Sequence, residues 1–119
     1  MGWPMRVFVY YNLPKKRWSV KALEGPDKGR VIQHAQVVVL RNVTGKVSQA
    51  GRERVLREKR NNVHAGIVGD MATVVNLPSD AREITYNPYK YETFVHADDE
   101  TPFEGSDTAV LMHRRVLVA

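Results

Sequence analysis

Arg6-Val7-Phe8-Val9-Tyr10-Tyr11-Asn12-Leu13, then Pro14-Lys15-Lys16, then Arg17-Trp18-Ser19-Val20-Lys21-Ala22-Leu23 is the stretch that decides the fold class. Its first run is dense in β-branched and aromatic residues, which fit a pleated, half-buried surface. Pro14-Lys15-Lys16 reads as a turn into a second run whose alternation sets Trp18, Val20 and Ala22 on one face. A β-hairpin is the expected result. Glu24-Gly25-Pro26-Asp27-Lys28-Gly29 has the Gly and Pro punctuation of a tight turn, and residues 30–34 and 36–42 read as further extended segments. The first 47 residues therefore predict a β-meander.

Downstream, Ser48 is placed to cap a helix from Gln49 to about Asn61, rich in Ala, Arg, Glu, Leu and Lys. Ala50, Val55 and Leu56 give this helix only a thin apolar stripe, enough to dock along one narrow side. Gly66 and Gly69 are expected to interrupt the segment that follows, with a strand at 72–77. Strands are expected at 83–86 and 89–96, the second carrying Tyr89, Tyr91, Thr93 and Val95 on one face. An acidic loop at 97–107 and a final strand at 109–118 complete the reading.

With 119 residues, the chain is expected to form a single domain, 1–119, too small for doubly wound dehydrogenase or kinase architectures. Cysteine is absent, which excludes disulfides, a thiolate nucleophile and Cys-ligated zinc or iron–sulfur centres, and favours a reducing compartment. No apolar run reaches the roughly 18–20 residues of a membrane span, and residues 1–13 lack the pattern of a signal peptide. A cytoplasmic protein with no membrane partner is the expectation. The fold class expected is α+β: a small, mostly antiparallel β-sheet with one basic α-helix.

Charge is segregated along the chain. Residues 1–45 hold eight Lys+Arg against two Asp+Glu, residues 46–60 six against two, and residues 61–119 four against nine, giving +6, +4 and −5. A basic half of this kind suits a polyanion, since each cation near a phosphate releases condensed counterions. The bland alternative is that the charge is solvated, or neutralised by the chain's own acidic half. On the polyanion reading, Lys15, Lys16, Arg17, Lys28, Arg30, Arg52, Arg54, Arg57 and Arg60 contact phosphates, and Trp18 or an exposed tyrosine stacks a base. Tyr10 and Tyr11 point to opposite faces of a strand, so at least one is exposed. Glu53 with Arg57 and Arg54 with Glu58 have the i,i+4 spacing of pairs within a helix, which would use up part of that charge.

No catalytic motif, metal-ligand spacing or cofactor fingerprint stands out, and no cofactor, metal or catalytic residue is assigned. His34, His64, His96 and His113 are the only histidines, and none are spaced as a helical metal pair. A metal-independent ribonuclease needs two imidazoles at one phosphate; His64, after the basic helix, is the best single candidate. Asp98, Asp99 and Glu100 read first as a solvated loop, then as a hard-cation site or as a mask for the basic half.

Two resemblances add to this. Residues 20–31, Val-Lys-Ala-Leu-Glu-Gly-Pro-Asp-Lys-Gly-Arg-Val, resemble the KOW motif of transcription-elongation and ribosomal proteins, where two strands flank a Gly-x-Asp-Lys-Gly turn. That resemblance implies an SH3-like barrel, with Lys28 and Arg30 beside a phosphate backbone; the further glycine usual after the Lys-Gly pair is missing. The stretches 18–31, 55–66 and 84–95 together resemble a family of short, uncharacterised tailed-bacteriophage proteins, which implies an infected bacterial cytoplasm as the setting. The functional expectation is a non-enzymatic phage accessory protein that binds nucleic acid, RNA or DNA, through its basic sheet and helix. The alternatives are a module that inhibits or redirects a host protein, and a small ribonuclease. Self-association into a homo-oligomer is a further expectation from the small size.

Overall fold

Arg6–Asn12 (β1) and Arg17–Ala22 (β2) form the expected antiparallel hairpin, with Val7, Val9 and Tyr11 opposite Ala22, Val20 and Trp18. Residues directly opposite in such a ladder share a face, so these six side chains make one apolar surface. The computed structural model describes residues 5–59, 63–73 and 77–119. Asn12 Oδ1 accepts the Lys15 amide at 3.1 Å and closes the tight turn. Tyr10 and Phe8 stand on the opposite face, their rings 6.0 Å apart.

The turn expected after β2 also forms. Gly25 and Gly29 have φ of +79° and +86°, a backbone region that glycine enters without a Cβ penalty. It leads into Val31–Ala35 (β3), which pairs with β2, and then Val37–Val47 (β4). Here the meander ends. β4 does not continue beside β3 but pairs with Ala65–Ala72 (β5) on one edge and Ser106–Met112 (β8) on the other. With Arg82–Thr85 as β6, Val95–His96 as β7 and Arg115–Val118 as β9, the sheet order is β3-β2-β1-β5-β4-β8-β9-β6-β7, with all pairs antiparallel. Three strands separate β3 from β4 in that order, yet only Gln36 joins them in the chain. One residue spans at most about 3.6 Å, so the sheet must curl until its β3 edge meets β4. A register shift between Arg41 and Thr44, with Asn42 at φ +52°, adds a bend where Asn42 Nδ2 donates to Asp70 at 2.9 Å. The result is a strongly curled, open sheet, not a closed barrel.

Gln49–Glu58 (α1) starts where expected, with Ser48 Oγ accepting the Gly51 amide at 3.2 Å. It stops earlier than the composition suggests, at Lys59, whose left-handed φ of +54° ends the helical ladder. Gly66 and Gly69, expected as breaks, lie inside β5 instead. A Cβ on Gly66 would stand 2.5 Å from the Val9 carbonyl oxygen and 2.7 Å from the Phe8 ring, so the glycine serves close cross-strand approach. The strand expected at 72–77 falls partly on residues outside those described; Ala72 ends β5.

Arg82–Thr85 (β6) forms, but only Val95–His96 (β7) of the expected 89–96 strand does. Asn87 explains the difference: its side chain accepts the Tyr89 amide at 2.9 Å, and its carbonyl accepts the Lys90 and Tyr91 amides. That turn keeps the tyrosines off a common face. The expected final strand is a hairpin, β8 followed by Arg115–Val118 (β9), reversed at His113-Arg114 with both φ positive. The core is the inner face of the curl, where Val9, Val20, Leu40, Ile67, Leu111 and Val116 meet.

Candidate functional site

Because the sheet curls, β1 and β2 look across the inner face toward β6 and β9. Between them lies a cavity of about 1150 Å³, slightly above the roughly 300–1,000 Å³ of common ligand pockets. Tyr11, Trp18, Tyr86 and Phe94 contribute aromatic wall, and Leu13 and Pro14 of the β1–β2 turn form one lip. Val55 of α1 and Val63 border another side, and Arg114 of the β8–β9 turn closes over the top. The Arg114 guanidinium sits 5.1 Å above the Tyr11 ring, a cation–π contact between strands far apart in the sheet order. Tyr11 meets Trp18 edge-on at 5.3 Å, and Tyr86 meets Phe94 at 5.3 Å.

One wall is polar. His64 Nε2 and the Tyr86 hydroxyl are hydrogen-bonded at 3.0 Å, with their rings 5.6 Å apart. Burial pushes the Tyr86 hydroxyl above its ordinary pKa, against the opposing pull of the hydrogen-bonded Arg52 guanidinium, so it stays protonated at neutral pH. Arg52 Nε also donates to the Pro88 carbonyl at 3.1 Å, which ties α1 to the β6–β7 loop. Gly51 makes this seat possible, since a Cβ there would stand 2.6 Å from the His64 Cβ. Among the described residues His64 is the one histidine on the cavity wall; His34 lies on β3, His96 on β7 and His113 in the β8–β9 turn.

The structure distributes the sequence-derived site residues over three places. Lys15, Lys16 and Arg17 are exposed at the β1–β2 turn, beside the lip made by Leu13 and Pro14. Lys28 and Arg30 are exposed at the other end of the same ribbon, roughly 20 Å away for a six-residue ladder. On α1, Val55 faces the cavity; at 3.6 residues per turn Arg52 lies about 60° from it, Arg54 about 100° and Arg57 about 160°. Arg52 is therefore drawn into the Tyr86 wall, while Arg54 and Arg57 remain exposed. Trp18 is 5% exposed and belongs to the core, so it offers no open face for stacking. Arg60 lies outside the described residues. Tyr11, Tyr86 and Arg114 were missing from the sequence-derived set; the Tyr10-Tyr11 pair and the Tyr86 cluster carried a signal for the first two, and nothing local marked Arg114.

The acidic segment is engaged elsewhere. Arg82 holds Asp98 at 2.8 Å and Asp99 at 3.1 Å, Lys90 holds Glu100 at 2.8 Å, Arg115 holds Glu83 at 2.8 Å, and Arg6 holds Asp70 at 3.2 Å. Tyr91 donates to Glu100 as well. Hydrogen bonds from the Thr101 hydroxyl and amide, then Arg82, lower Asp99 to about 2. Among the described residues, none of Lys15, Lys16, Arg17, Lys28, Arg30, Arg52, Arg54 or Arg57 has a carboxylate within ion-pair distance. The Glu53–Arg57 and Arg54–Glu58 pairs suggested by spacing are accordingly not closed. No helix among the described residues is long and apolar enough to cross a membrane.

The family model of the Mycobacterium phage L5 gene 82 protein matches residues 1–119, and the chain is 48% identical to that phage's gene 82 protein over 124 residues, covering 98% of this chain and 97% of the relative. The chain belongs to the gene 82 protein family. No solved structure matches it. Membership in the gene 82 family agrees with the phage setting that residues 18–31, 55–66 and 84–95 imply, and the cavity described above is a feature of a phage gene product.

Proposed function

We propose that this gene 82 family member is a phage accessory protein that binds nucleic acid without transforming it, using the cations around the cavity mouth. One observation carries the reading: Lys15, Lys16, Arg17, Lys28 and Arg30 are exposed with no carboxylate partner among the described residues, while Asp98, Asp99 and Glu100 of the acidic segment are held by Arg82 and Lys90. Lys15, Lys16, Arg17 and Arg114 follow the backbone past the mouth, and Arg54 and Arg57 extend that track along α1. The β2–β3 turn is read as a KOW-like hairpin, in keeping with a small-barrel ancestry for the curled sheet. Because it lies at the far end of the ribbon, Lys28 and Arg30 make a separate, secondary phosphate contact.

The test is fluorescence polarisation of a labelled oligonucleotide across a salt series. Each lost phosphate contact lowers the slope of log affinity against log salt by about 1. The Lys15→Glu, Lys16→Glu, Arg17→Glu triple variant is expected to lower that slope by about 2 to 3, and the Lys28→Glu, Arg30→Glu double variant by about 1 or less. Absence of binding by the native protein at low salt overturns the reading.

A further inference from the structure

We infer that the cavity is a receptacle for an unpaired nucleotide, making the protein selective for single-stranded over duplex nucleic acid. This rests on the nucleic-acid reading above and specifies its substrate. Three observations converge on it. The walls are aromatic at Tyr11 and Tyr86, and every base has a π-face that can lie against such rings. Polar groups able to meet a base edge stand among them: the Tyr86 hydroxyl and His64, hydrogen-bonded at 3.0 Å. The mouth is bordered by Arg114 and by the turn bearing Lys15 and Lys16, where the phosphates flanking an inserted base must pass. An uncharged apolar ligand would have no use for that cationic rim or for the polar wall. A paired base cannot enter without first leaving its stack, which costs a few kcal/mol.

Binding is measured for a 12-nucleotide single strand and for the same sequence as a duplex, at one salt concentration, with native protein and with Tyr86→Leu. Leucine keeps apolar volume against Phe94 while removing the ring face and hydroxyl. Native protein is expected to prefer the single strand by about tenfold, and Tyr86→Leu to lose most of that preference with duplex binding unchanged. Equal native affinity for both forms overturns the inference and leaves nucleic-acid binding standing; binding of neither form at low salt brings down the underlying reading instead. Should Tyr86→Leu not fold, the native protein decides the matter by NMR with uridine monophosphate. Shifts at the Trp18 indole and at residues 65–67 and 84–86 support the cavity, and shifts confined to residues 15–17 refute it.

Discussion

Gly66 has no room for a side chain. The Val9 carbonyl that a methyl group would strike at 2.5 Å belongs to the backbone of the neighbouring strand and cannot rotate away. Gly66→Ala is therefore expected to destabilise the protein by about 2–3 kcal/mol, seen as a lower urea midpoint at unchanged m-value; a change within about 0.5 kcal/mol would show that the strands separate freely there. A glycine in sequence says only that something special is needed. Gly66 was expected to break a strand, because the requirement it answers, space for Phe8 and Val9, is set by residues almost sixty positions earlier. Trp18 teaches the same lesson. Alternation placed it correctly with Val20 and Ala22, but a period of two carries no sign, and which face turns inward is decided only when β6 and β9 arrive to cover it. His64 was legible as a polar residue near a basic helix, whereas its bond to Tyr86 spans 22 positions and no local pattern encodes it.

Elements whose ends are governed by their own side chains were readable. Ser48 caps α1 as its position suggested, and Ser48→Ala is expected to cost about 1 kcal/mol, with partial loss of helical ellipticity at the start of the urea transition and no shift in the signals of the β1–β2 hairpin. An unchanged midpoint would mean that the helix is held by its tertiary links, Arg52 to Pro88 and Gln49 to the Glu92 carbonyl, without help from the cap. The 89–96 segment failed as a strand for the opposite reason. Its aromatic composition favoured extension, but Asn87 folds the chain back through three hydrogen bonds that composition does not weigh. The acidic loop was legible as acidic and exposed, though not as a set of paired groups. Asp99 titrates near 2, below its ordinary 3.8, because Thr101 and Arg82 favour its ionised form. A carboxyl whose folded pKa is lowered gives stability that is present above about pH 3.8 and is lost as pH falls through about 2. Local opening of residues 97–105, followed by amide exchange at Thr101, is thus expected to rise between pH 4 and pH 2. Arg82→Ala is expected to move that midpoint upward; an unmoved midpoint would assign the whole effect to Thr101.

Closure of the inner face is the property of the whole molecule that no segment announces. It depends on a one-residue link between β3 and β4, on the bend at Asn42, and on Arg114 reaching Tyr11 from a turn where both residues hold positive φ. His113-Arg114 is not a dipeptide that predicts a two-residue hairpin turn, where Asn-Gly or Asp-Gly is usual, so β8 and β9 read as one strand and the cover of the cavity went unseen. A non-glycine residue in the left-handed region costs about 1–2 kcal/mol, while glycine gives back about 0.5–1 kcal/mol through its freer unfolded chain and forfeits a cation–π contact of about 0.5–1 kcal/mol. These nearly cancel. Arg114→Gly is accordingly expected to leave the urea midpoint within about 1 kcal/mol of native while reducing single-stranded nucleic-acid affinity severalfold and lowering its salt slope by about 1. Arg114→Lys is expected to keep the salt slope and lose part of the affinity, since an ammonium keeps the charge without the planar group that lies over Tyr11. A fall in stability above about 2 kcal/mol for Arg114→Gly would make the residue a structural latch, and an unchanged affinity would place the phosphate track away from the cavity mouth. The strained turn is tolerated, on this argument, because it puts a cation where the curled sheet opens.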